Sequence, residues 1–139
     1  MIETIYFGTY TRRLSQGIYQ ADFDTETGKL SNLKLFAAEP SPTYLAFDQE
    51  NHLYTVGSKD GQGGIAAYQT DGTLLNHVVT EGAPHCYVAV DEKRSLVYGA
   101  NYHKGQVLVY KRKEDGSLEL ADTVQHSGHG PHENQASPH

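Results

Sequence analysis

The sequence predicts an all-β fold, a β-propeller of four-stranded antiparallel blades with about three blades in 139 residues. Three observations carry this. A turn marked by glycine returns at a fixed step: "TGKL" (27–30), "DGTL" (71–74) and "DGSL" (115–118) place Gly28, Gly72 and Gly116 44 residues apart. Short runs such as "VLVY" and "YLAF" are apolar on both alternating faces, as in sheets covered on both sides. No segment repeats at 3.6 over a helical length.

The elements follow in order. In residues 1–38, "IYFG" (5–8) and "GIYQADF" (17–23) precede the first marked turn, and no innermost strand comes before Ile5, so this blade is partial. The blade of residues 39–81 is read as strands 43–48, 52–57, 64–70 and 74–80, with "GQGG" (61–64) as a turn. The blade of residues 82–126 repeats it as strands 86–91, 96–101, 105–112 and 118–125. Residues 127–139 are read as the loop leading to a next blade. Propellers close with about 4–8 blades, so three mark the N-terminal part of a longer ring.

Composition excludes several function classes. The formal charge of −6 argues against nucleic-acid binding, which needs clustered Lys and Arg. No apolar run approaches the roughly 18 residues of a membrane span. The N-terminus "MIETIYFGTY" lacks the pattern of a signal peptide, and the single cysteine fits a reducing cytoplasm. Cys86 shares a strand face with Val88 and Val90 and reads as a small core residue.

Half of the eight histidines (His126, His129, His132 and His139) lie in the last fifteen residues, "QHSGHGPHENQASPH". Prolines 42, 84 and 138 occupy equivalent positions before innermost strands. The first pair is 42 residues apart and the second 54, so this loop is longer than its counterpart by about ten residues. A lengthened loop rich in titratable groups is a functional candidate. A metal site is not expected there, because Gly128, Gly130 and Pro131 forbid the regular helix that would stack histidines three apart.

Propeller geometry gathers alternate loops on one face, around the central channel. That face should receive Tyr10, Arg12, Arg13, Lys59, His85, Asn101 and the 126–139 loop, while most carboxylates, among them Asp48, Asp91 and Glu114, fall on the other. An acidic protein then keeps a locally basic mouth, suited to a small anion.

"YFGTYT", "GAPHCYVAVDEKRSLVYGANYHKGQVLVY", "DGSL" and "VQHSGHGPHENQASPH" together resemble the lactonase family of seven-bladed β-propellers, which includes propeller-type 6-phosphogluconolactonases and fungal carboxymuconate cyclases. The resemblance implies seven blades and hydrolysis or formation of a lactone. Many relatives carry an Arg-Gln pair where this chain has Asn134-Gln135.

Lactone hydrolysis needs a base near neutral pKa, donors for the carbonyl oxygen and a cation for an anionic substrate. His139 is the candidate base, with Glu133 orienting it or acting as base. Arg12, Arg13 and Lys59 are candidate anion ligands. Tyr10, Asn101 and Gln135 are candidate donors, and His85 and His132 further substrate contacts. No cofactor is expected. The rival reading is a non-catalytic propeller that binds a ligand or protein on the same face, and a carboxymuconate-type lactonising enzyme is a third. His77, in an outer strand, is expected to stand outside the chemistry.

Overall fold

The computed structural model of the chain describes residues 1–138. Its described residues form eleven strands in three antiparallel sheets, with no helix. The first sheet holds β1 (Ile2–Phe7), β2 (Gly17–Asp24) and β3 (Lys29–Ala38). The second holds β4 (Leu45–Phe47), β5 (Leu53–Lys59), β6 (Gln62–Tyr68) and β7 (Leu74–Thr80). The third holds β8 (Tyr87–Asp91), β9 (Leu96–Asn101), β10 (Gln106–Arg112) and β11 (Leu118–Gln125). Each sheet is a meander, and the first lacks an inner strand beyond β1. Among the described residues no helix is long and apolar enough to cross a membrane.

One expected turn moves. Gly63 and Gly64 of "GQGG" are strand residues, paired with Ser58 and Gly57. The reversal falls instead on Asp60 and Gly61, whose φ angles of 51° and 77° suit the two-residue hairpin turn with left-handed backbone at both central positions. The strand therefore starts at Gln62 rather than at residue 64.

The middle sheet explains the runs that are apolar on both faces. Along β6, Ile65 and Ala67 pack with Val88, Val97, Leu108 and Tyr110 of the third sheet. Ala66 and Tyr68 between them pack with Ile18 and Ala37 of the first. A central strand with a neighbour on each side has no wet face, so its alternation disappears. The outward side of the first sheet is uncovered, and Leu30 and Leu33 on β3 are 55% and 67% exposed.

The repeated glycine turns also join the sheets. Gly72 and Gly116 have φ of 87° and 89°, open to glycine at little cost. A Cβ would come within 2.2 Å of the Phe36 carbonyl oxygen at Gly72 and within 2.6 Å of the His52 ring at Gly116. Each turn thus presses on the preceding sheet. Beside Gly116, the fully buried Asp48 carboxylate accepts bonds from Arg112 at 2.7 Å, His52 Nδ1 at 2.8 Å and the Tyr54 hydroxyl at 3.2 Å. Arg112 also reaches Glu92 at 2.8 Å. Burial alone would raise the Asp48 pKa, but the Arg112 and His52 bonds outweigh it and hold the group below its usual value. This cluster ties the second sheet to the third on the side away from the channel mouth.

A second buried carboxylate ties the first sheet to the second. Glu39, 2% exposed, accepts the Tyr68 hydroxyl, His77 Nε2 at 2.8 Å and the Ser58 backbone N–H at 3.1 Å. His77 is therefore an internal partner of a buried carboxylate and not a neutral position on an outer strand.

Candidate active site

The loops β1–β2, β3–β4, β5–β6, β7–β8 and β9–β10 converge on one face. They enclose a cavity of about 620 Å³ whose wall includes Tyr10, Arg12, Ser58, His85, Tyr102 and His103. A second cavity of about 590 Å³ lies against the 128–138 loop, lined by His129, Asn134, Gln135, Ser137 and Pro138, and again by Tyr102. The lengthened loop thus stands on the same face as the shorter loops, as the repeat required.

Arg12 is the cation of the first cavity. Its guanidinium sits over the Tyr10 ring, 4.8 Å from the centroid, a contact that restrains the cation while leaving its donors to a ligand. Arg13 and Lys59 are exposed, outside the wall of this cavity.

His85 lies deeper, at 3% exposure. Its Nε2 meets the Tyr110 hydroxyl at 2.6 Å, and its ring rests on Gly99, where a Cβ would come within 2.3 Å of Cδ2. Burial, and secondarily the Lys104 charge, lowers its pKa to about 4, so it is neutral at pH 7. Its Nδ1 is buried with no hydrogen-bond partner among the described residues. His85 is thus a packed part of the cavity floor. Cys86 beside it is half-buried on the cavity wall, its thiol donating to the Ala100 carbonyl at 3.3 Å. That corrects the expectation of a core residue: the strand begins at Tyr87, so Cys86 precedes the alternation that buries Val88.

Asn101 is buried and committed to the loops. Its Nδ2 donates to the Ala83 carbonyl at 3.0 Å and its Oδ1 accepts the Lys104 N–H at 3.3 Å. Lys104 in turn donates its ammonium to the Glu81 carbonyl. These bonds join the β7–β8 and β9–β10 loops, and Asn101 lies outside the walls of both cavities, so its amide is a loop brace rather than the expected substrate donor.

The 126–138 loop is held by its own bonds. Gln135 Oε1 accepts the His132 N–H at 3.1 Å, and the Gly130 N–H reaches the Gln135 carbonyl at 2.9 Å. His132 Nδ1 accepts the Asn134 N–H at 3.2 Å. The Ser137 hydroxyl donates to the Tyr102 carbonyl at 2.7 Å and docks the loop on the third sheet. Glu133 is exposed on this loop. His139 lies outside the described residues. Among the described residues no group of three or more His, Cys, Asp or Glu side chains could hold a metal ion.

Sequence reasoning placed Tyr10, Arg12 and His85 at one cavity, because repeat position alone assigns a loop to a face. It missed Glu39, since a single Glu before a Pro reads as a solvated loop residue. Nothing in the sequence marks Tyr102 as common to the two cavities.

The comparisons agree with this architecture. The family model described as "Lactonase, 7-bladed beta-propeller" matches residues 4–139. The 6-phosphogluconolactonase of Bacillus subtilis is 46% identical over 96% of this chain and 40% of that protein. A crystal structure of a Lactobacillus plantarum protein superposes with a TM-score of 0.92 at 56% identity, covering 96% of this chain and 40% of that one. The periplasmic gluconolactonase PpgL of Pseudomonas aeruginosa superposes with a TM-score of 0.87 at 25% identity, over 99% of this chain and 42% of that one. The chain therefore spans about two fifths of the length of these relatives. With three meander sheets in radial sequence and a family match over nearly all its length, the chain belongs to the lactonase family of seven-bladed β-propellers.

Proposed function

We propose that the complete protein is a cytoplasmic lactonase that hydrolyses a small anionic sugar lactone, 6-phosphogluconolactone foremost, by base-activated water and without a cofactor. The observation that supports this most is the convergence of loops from all three sheets on a cavity holding Arg12, in a member of the lactonase family. The Bacillus subtilis relative bears the name of that activity.

In this reading a base takes a proton from water as its oxygen attacks the lactone carbonyl carbon. The ring C–O bond then breaks and the proton passes to the departing ring oxygen, leaving an open-chain carboxylic acid that loses its remaining proton to solvent as the carboxylate. His139 is the base, on the strength of its place after Pro138 in the lengthened loop, with Glu133 to orient it. Arg12 holds the substrate's anion, with Arg13 and Lys59 adding positive potential from the same face. Tyr10 and Gln135 stand near enough to the cavities to donate to substrate oxygens. His132 contributes through the fold of its loop, Asn101 by joining the β7–β8 and β9–β10 loops, and His85 as the packed floor.

The test is His139→Ala in the complete protein. The expected result is a kcat lowered about 10²–10⁴-fold, the usual worth of a general base, with melting temperature unchanged. Lys29→Ala, on the exposed outer strand of the first sheet, serves as the control. An unchanged rate in His139→Ala with the fold intact would remove His139 from the chemistry.

A further inference from the structure

We propose that Tyr102 sets specificity, by seating the ring of a lactone whose anionic group lies at the far end from its carbonyl. This deepens the lactonase reading and rests on it. Tyr102 is the residue common to the cavity of Arg12 and the cavity of the 128–138 loop.

The two spaces differ in chemistry. The first carries the Arg12 guanidinium and the His103 ring. The second has no Lys or Arg in its wall and offers Asn134, Gln135, Ser137 and His129, groups suited to an uncharged oxygen. A molecule that fills both has an anion at one end, an uncharged carbonyl at the other, and its ring over Tyr102. A phosphate on the terminal carbon of a sugar lactone meets that description. A carboxylate borne directly on a small lactone ring meets it less well, since its anion and its carbonyl stand close together.

Tyr102 is held at its ring and at its backbone. Its ring packs on His103 with centroids 4.0 Å apart and planes 32° apart. Its carbonyl accepts the Ser137 hydroxyl at 2.7 Å, which couples its backbone to the loop of the second cavity. An aromatic face fixed in this way is a platform for the C–H face of a sugar ring. With the anion clamped at Arg12, the platform decides where the carbonyl lies, so binding energy at the remote end becomes orientation at the reacting end. A lactone without the anion settles in the loop cavity with no such dependence.

The experiment compares 6-phosphoglucono-δ-lactone with glucono-δ-lactone in the complete protein, for wild type, Tyr102→Phe and Tyr102→Ala. The expected result is that Tyr102→Ala lowers the ratio of kcat/KM for the two lactones at least about tenfold, the magnitude of a lost aromatic contact. Tyr102→Phe keeps the ratio within about threefold, and inorganic phosphate binds wild type and Tyr102→Ala alike, because Arg12 is untouched. An unchanged ratio in Tyr102→Ala overturns the proposal alone. So does a fall in the ratio accompanied by lost phosphate binding, which marks a merely structural role. A wild type inactive on both lactones overturns the lactonase reading and this inference with it.

Discussion

His85 shows how a residue can be placed correctly from sequence and still differ in character. Its position after Pro84 put it at the cavity, but nothing in the sequence tells that Gly99 leaves room for the ring to sink onto β9 and bond Tyr110. The consequence is measurable. With a pKa lowered from 6.5 to about 4, the buried ring is neutral in the fold and takes a proton more readily when unfolded. Its contribution is complete above pH 6.5 and is lost as pH falls from there to about 4. At 1.36 kcal/mol per unit this is about 3 kcal/mol. Urea unfolding of the complete protein across this window should show that loss in wild type and a clearly shallower one in His85→Gln. Equal slopes would contradict a buried neutral imidazole. Below the window the Asp48 carboxylate, held under its usual value, adds a further loss as it protonates.

At the scale of elements, repetition made the strands legible: in the second and third sheets the observed bounds lie within two residues of those read from the Gly, Pro and Tyr spacing. The displacement of β6 by two residues arises because two glycines can stand in a strand as well as a turn when neighbouring strands crowd it. What repetition does not reveal is how an element is pinned. The end of β5 is fixed by Glu39, which stands where a side chain on Gly57 would be: a Cβ there would lie 2.2 Å from Glu39 Oε1. Gly57→Ala should therefore cost about 1–3 kcal/mol through overpacking. Glu39→Ala should be destabilising too, since it takes the partner from His77 and the Ser58 N–H and leaves the Tyr68 hydroxyl only the Ala38 carbonyl at 3.3 Å. The two substitutions should not add, because removing the carboxylate makes room for the methyl group. Chemical denaturation of the four species measures the coupling, and strict additivity would show that Glu39 does not occupy that space.

Across the whole molecule, the buried middle sheet and the uncovered first sheet follow from one rule: a blade is complete only with a neighbour on each face. The family's seven blades were legible through motif order, but the union of the loops into two cavities parted by Tyr102 needed coordinates. The first sheet has an apolar hollow of about 510 Å³ on its face, lined by Phe7, Tyr19, Ala21, Leu30 and Leu33. The 139-residue chain on its own should consequently self-associate with rising concentration in size-exclusion light scattering. A monodisperse monomer that melts cooperatively would contradict this. The central claim is that the face bearing Arg12 and the lengthened loop performs lactone hydrolysis. The direct measurement is the disappearance of freshly made 6-phosphoglucono-δ-lactone with the complete protein, corrected for spontaneous ring opening. A saturable rate well above that background is expected, weakened chiefly in KM by Arg12→Ala. A rate equal to background, with 6-phosphogluconate still binding, would contradict it and make the propeller a binding module.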